Sequence, residues 1–182
     1  LNASRMLRGS TLSLNKTLER LSSGLRINRA ADDAAGLAIA EGFRSQVMGT
    51  SMAQRNSQDG VSLVQTAEGA LSESHSILQR IRELAVQASN GTQSTANRLA
   101  INNEVSQLLG QIDDIALRTE FNGIKVLSAS QTVTLQAGAY TSQTLSIAVT
   151  GAKSNDLGVN NVVVSTMAGA VSAISTIDNA IA

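Results

Sequence analysis

Leu14, Leu18, Leu21 and Leu25 stand 4, 3 and 4 residues apart near the start of the chain. Heptad spacing of this kind predicts a helix that packs along another helix. Ser22-Ser23-Gly24 interrupts the seam, and INRAADD over residues 27–33 predicts a joint. Asp32 or Asp33 is placed to cap a second helix, because a short carboxylate can accept from free N–H groups and suits the positive helix end.

The second helix is expected from about residue 34 to Ser89. Its seam reads Val64, Ala67, Leu71, Ser74, Leu78, Ile81, Ala85 and Ala88 in alternating steps of 3 and 4, with Ile77 and Leu84 widening the stripe. At ~1.5 Å per residue such a helix is on the order of 80 Å long, which suits a rod. Asn90-Gly91 predicts a left-handed stop at its end. Ser94 or Thr95 then caps a third helix reaching about Thr119, with the stripe Ile101, Val105, Leu108, Ile112 and Ile115. The short connection predicts that helices two and three pack antiparallel.

At Asn122-Gly123 the period changes. Val133, Leu135 and Ala137 alternate with Thr134 and Gln136, and Leu145, Ile147 and Val149 with Ser146 and Ala148, with a turn-like Gly138–Gln143 between. This predicts a β-hairpin over about 132–150 with one apolar face. Two strands alone are marginal, so that face is expected on the helices. Residues 150–165 read as a loop with an apolar patch at Val162–Val164. A fourth helix is expected over about 166–182, with Ala170, Val171, Ile174, Ile177 and Ile181 on one side. It carries no C-cap signal at Ala182, as in a helix cut in mid-course. The pattern as a whole predicts a mainly α fold: a long antiparallel helical rod, coiled-coil-like, with one β-hairpin packed on it.

Composition sharpens this picture. Aromatic residues make up 2% of the 182, namely Phe43, Phe121 and Tyr140, and Trp, Pro and Cys are absent. A core built without large rings must use Leu, Ile, Val and Ala, which suit a helical seam. The lack of Pro removes the strongest helix breaker. The lack of Cys excludes disulfides, thiolate metal sites and a Cys nucleophile. No apolar run approaches the ~20 residues of a membrane span, so no membrane insertion is expected.

Fourteen basic residues balance fourteen acidic ones, so no overall field suggests a nucleic-acid partner. The distribution is uneven: residues 1–29 hold six basic residues against Glu19, hence +5, and the rest of the chain carries −5. Such a segment is either a solvated helix face or one that docks on an acidic neighbour.

Chemistry-bearing constellations are sparse. His75 is the single histidine, outside any HExxH or GxSxG pattern, and without Cys it makes no conventional zinc site. Adjacent carboxylates at Asp32-Asp33 and Asp113-Asp114 diverge on a helix and suit capping and solvation better than catalysis or metal binding. No phosphate-binding glycine motif occurs, and no cofactor is expected. Gly36, Gly42, Gly49, Gly60 and Gly69 lie along the second helix at a cost of up to ~1 kcal/mol each relative to Ala, which suggests close backbone approach or a rod tolerant of bending. Around LQRIREL (78–84), Ile81 faces the seam while Arg80, Arg82, Glu83 and Gln87 decorate other faces, as a salt-bridged surface or a recognition strip.

LERLSSGLRINRAADDAAGLAI (18–39) resembles the N-terminal signature of bacterial flagellins. The resemblance continues through QDGVSLVQTAEGALSE (58–73), LQRIRELAVQASNGT (78–92), EFNGIKVL (120–127), LQAGA (135–139) and STIDNAI (175–181). It covers nearly the whole chain. It implies that residues 1–33 are the distal part of an inner coiled-coil helix with its connecting spoke, and that 34–182 form the rod domain. It further implies a non-enzymatic subunit that self-assembles into the extracellular flagellar filament for motility. Its partners would be other flagellin subunits, an export chaperone and a cap protein, with secretion through flagellar type III export. In family terms Arg80, Leu84, Gln87 and Glu104 match a surface used in rod packing and in recognition by Toll-like receptor 5. Leu71, Leu78, Ile81, Ile101, Val105, Leu108 and Ile112 are the expected seam.

Two rivals share part of this pattern. A hook–filament junction protein shares the SSG, RIN and DD elements but usually carries Pro after the paired Asp, where this chain has Ala34-Ala35-Gly36. A surface-displayed homologue binding a polysaccharide would need aromatic platforms, for which only three rings are available.

Overall fold

The computed structural model describes residues 2–181. Among these, four helices and two small antiparallel strand pairs follow one another: α1 (Asn2–Ser23), α2 (Ala34–Ser89), α3 (Thr95–Arg118), β1 (Glu120–Phe121), β2 (Ile124–Lys125), β3 (Gln131–Gln136), β4 (Thr144–Val149) and α4 (Met167–Ile181). At 56 residues α2 is about 84 Å long and forms the spine.

The helix starts are built from side-chain caps. Asp33 Oδ1 accepts from Gly36 N at 2.9 Å, Ser94 Oγ from Asn97 N at 3.1 Å, and Thr166 Oγ1 from Gly169 N at 3.1 Å. The end of α2 departs from expectation. Asn90 is extended, with φ −70° and ψ 127°, and Gly91 is not left-handed. Arg98 at the start of α3 donates instead to Ala88 O at 2.9 Å and to Asn90 O at 3.0 Å, which Gln93 N also reaches at 3.2 Å. A cation at the negative helix end also suits the helix dipole.

That contact and the Arg80–Glu104 pair at 3.0 Å set α3 antiparallel to α2, because residue numbers rise along one helix as they fall along the other. α4 packs on α2 as well, with Arg82 reaching Asp178 at 2.6 Å. The main core lies among the three helices. Leu78, Ile81, Leu84, Ala85 and Ala88 meet Ile101, Val105, Leu109 and Ile112 of α3 and Ala170, Ala173 and Ile177 of α4. On α4 the buried face is therefore 170, 173 and 177, and Val171, expected inward, is exposed. A second cluster lies farther down α2: Leu63, Ala67, Ala116, Val126, Leu127 and Ala152.

β3 and β4 form the expected hairpin, with Val133 opposite Ile147 and Leu135 opposite Leu145. It rests on the first half of α2, where glycines permit close approach. A Cβ at Gly60 would stand 2.2 Å from Leu135 Cδ1, and one at Gly49 would stand 3.3 Å from the backbone of Ala139. Gly42 and Gly69 have open space beside them, so close approach accounts for only some of the helix glycines. Asn56 Nδ2 donates to Gln136 O at 3.0 Å and pins the hairpin edge. The strands β1 and β2 were not foreseen. Asn122 and Gly123, at φ 49° and 78°, make the two-residue turn joining them, a geometry that favours this residue pair.

Candidate assembly and recognition surface

The residues singled out on α2 and α3 separate into a buried seam and an exposed polar strip. Leu78, Ile81, Ile101, Val105 and Ile112 are all buried in the three-helix core. Two expected seam residues are not. Leu71 is 42% exposed, although its heptad position matches its neighbours. It faces an open cleft of about 320 Å³ beside Val64, Glu68, Val149 and Leu157, where no helix among the described residues covers α2. Leu108 is partly buried against the core, and Leu109 takes the seam position. The α3 seam thus runs 101, 105, 109, 112, 116, closer to the 3.6-residue period of a straight helix than to a strict heptad.

The polar strip centres on Arg80. Its guanidinium donates to Glu104 Oε1 at 3.0 Å and to Glu83 Oε2 at 3.1 Å, bridging α2 to α3. Glu104 first, then Glu83, raises its pKa above the ordinary arginine value. Gln87 and Glu104 are exposed beside it. Leu84, expected both in the widened stripe and on the recognition surface, is 2% exposed and lies in the core, as the stripe implies and not as an exposed surface residue. The cause is geometric. Both α3 and α4 pack on α2, so the buried arc is wider than a two-position seam and takes in 84 as well as 81 and 85. One turn along, the Arg82–Asp178 pair ties α2 to α4, and Asp178 raises the Arg82 pKa in the same way.

Several other ionisable groups hold segments together. Asp32 pairs with Lys16 and accepts from Asn28 N, while Glu19 accepts from Asn28 Nδ2 at 3.0 Å and Arg29 Nε at 2.6 Å, so the joint folds against α1. The Lys16 hydrogen bond leads the causes that hold the Asp32 carboxyl below the ordinary range. Asp113 does something the sequence reading missed. It accepts from Ser154 N at 2.7 Å and Ser154 Oγ at 2.9 Å, and Asn102 Oδ1 accepts from Val164 N at 2.9 Å. Eleven residues, about three turns, put Asn102 and Asp113 on one face of α3, and together they strap the 150–165 segment along it. His75 is exposed, and among the described residues no group of His, Cys, Asp or Glu is arranged to hold a metal ion.

α1 buries nothing. Leu7, Leu14, Leu18 and Leu21 are 53–79% exposed with their neighbours on the same stripe, so an amphipathic helix presents its apolar face to solvent. On α2, Ile39, Phe43 and Val47 form a second exposed stripe.

Residues 1–132 match the family model for the bacterial flagellin N-terminal helical region. The flagellin of Bacillus subtilis (strain 168) is 45% identical over 192 aligned positions, covering 98% of this chain and 62% of that protein. The flagellin of Clostridium tyrobutyricum is 57% identical over 130 positions, covering 71% of this chain and 34% of its own length. Among solved structures, the crystal structure of Bacillus cereus flagellin superposes with a TM-score of 0.59 at 30% identity, covering 70% of this chain and 75% of that one. The chain spans less than two thirds of the length of the curated relatives it matches.

Proposed function

This chain belongs to the bacterial flagellin family, and on that premise we propose that it is a structural, non-catalytic subunit that self-assembles into the flagellar filament for motility. The observation that carries this reading is the uncovered apolar face of α1. A stripe of exposed leucines at heptad spacing costs solvation free energy when bare and is covered when other helices pack along it in a coiled coil of the assembled filament. Many repeated contacts in a non-closing arrangement give a filament rather than a ring. In this reading residues 1–33 serve the inner coiled coil and 34–182 form the rod. The subunit is exported through the flagellar type III apparatus with a chaperone and added beneath a cap protein. No helix among the described residues is long and apolar enough to cross a membrane.

Seeded polymerisation of the full-length protein, imaged by electron microscopy, tests the proposal. Long helical filaments growing from the seeds are expected, and a protein that never elongates them refutes it.

The same premise makes the Arg80 strip a recognition surface for Toll-like receptor 5, with Arg80, Gln87 and Glu104 as the residues within reach. Leu84 supports the strip from below. Replacing Arg80 and Glu104 together by Ala should abolish signalling in receptor reporter cells while helicity is retained. Undiminished signalling from the folded double variant refutes the assignment.

A further inference from the structure

We infer that the rod is two separately cohesive blocks that meet at the level of buried Ser74 on α2 and of the Asp113–Ser154 hydrogen bonds between α3 and the strap, where the molecule opens and flexes. The two apolar clusters are separate, and each segment that passes between them contributes to both. On α2, Ala67 belongs to the hairpin-side cluster and Leu78 to the three-helix cluster, with Ser74 between. On α3, Ala116 and Ile112 fall on opposite sides of Asp113. On the strap, Ala152 and Val159 fall on opposite sides of Ser154. Ser74 and Ser154 are the buried polar residues among those described, at 3% and 6% exposure.

The polar groups at this level are unevenly satisfied. Ser154 gives both its N–H and its hydroxyl to Asp113. Ser74 Oγ has no partner at all. A buried hydroxyl without a partner gives up its water for nothing, so local opening that wets Ser74 returns part of that cost. The cleft beside exposed Leu71, bordered by Ala152 on one side of the break and Leu157 on the other, provides the room. Apolar packing between the blocks is thinned at this level on α2 and on the strap, while the α3 stripe runs on from Ile112 to Ala116. Sub-global opening then follows the blocks rather than the helices: the first half of α2 moves with the β3–β4 hairpin, and the second half with α3 and α4.

Native-state hydrogen exchange read by mass spectrometry tests this on the folded chain. Leu63→Ala, in the hairpin block, should speed exchange over residues 60–70 and 124–152 by roughly 30-fold or more, as expected for truncating a buried leucine. Amides over 78–88, 101–112 and 170–177 should change by less than about threefold, within the additivity expected of independent sites. Equal acceleration in both blocks overturns the proposal. Val126→Ala, a smaller truncation in the same block, gives the same reading should Leu63→Ala fail to fold. Adding Ser74→Ala, which makes this level more apolar, should couple the blocks and carry the Leu63→Ala effect into the three-helix side. An unchanged pattern overturns the role given to Ser74.

Discussion

Ile81 and Leu71 both belong to one heptad seam, yet the structure assigns them very different weights, and truncating each to Ala measures the difference. Ile81 is fully buried and lies against α3 and α4, where Val105 and Ile177 are themselves fully buried. Ile→Ala removes three carbons, about 2.4 kcal/mol at ~0.8 kcal/mol each. The walls are held from two sides and relax little, so a cavity cost adds and the loss should reach about 3–4 kcal/mol. Leu71→Ala also removes three carbons, but Leu71 is 42% exposed beside an open cleft. About half the transfer cost applies and no sealed cavity forms, giving roughly 1–1.5 kcal/mol. For a chain of this size each kcal/mol shifts Tm by ~2–4 °C. Ile81→Ala should therefore melt about 6–16 °C lower, and Leu71→Ala about 2–6 °C lower. Thermal and urea unfolding followed by far-UV circular dichroism read both. Equal losses would mean that the heptad position, not the covering helices, sets the contribution.

Gly69→Ala should stabilise α2 by about 0.5–1 kcal/mol through helix propensity, since open space lies beside it. Gly49→Ala should destabilise by about 1 kcal/mol, because its Cβ would crowd Ala139 in the hairpin turn; the sign of each melting shift decides. Arg98→Ala should cost ~1–2 kcal/mol in urea unfolding by removing its hydrogen bonds to Ala88 O and Asn90 O, the second of which keeps Gln93 N as donor, with Arg98→Lys recovering only part because a single ammonium does not span both oxygens. The Asp32 carboxyl is depressed in the folded chain, so its stabilisation of the joint is present above the ordinary carboxylate range and is lost as pH falls through the depressed value. An NMR titration should place its midpoint below the ordinary ~3.9, with Lys16→Ala returning it upward; a midpoint at or above ~3.9 in the unaltered chain refutes the pairing.

Local signals carry most of the architecture because each names a partner close in sequence. Asp33 and Ser94 stand where a free N–H three residues on must be met, and they meet it. The change from a 3.6-residue to a 2-residue period announces the β3–β4 hairpin, and the short connection after α2 implies an antiparallel return. Periodicity, however, tells which residues share a face and not how many neighbours that face receives. Leu71 and Leu84 show the limit from opposite sides: one is an ideal seam residue left uncovered, the other an apparent edge residue sealed by a second helix. Long-range polar contacts are still less legible. Asn102 and Asp113 lie at a three-turn spacing on α3, which marks a common face, but nothing in that spacing names Val164 or Ser154 as the groups they hold. Arg98 illustrates the same point at the end of α2, where an Asn-Gly pair suggested a left-handed cap and a side chain eight residues away supplied the hydrogen bond instead. A backbone group at a helix end needs a partner, not a particular one, so sequence fixes the demand while tertiary structure chooses the donor. The apolar face of α1 makes the same kind of demand: Leu7, Leu14, Leu18 and Leu21 are exposed among the described residues, and in the proposed filament other helices pack along them, which is the level at which polymerisation tests the reading.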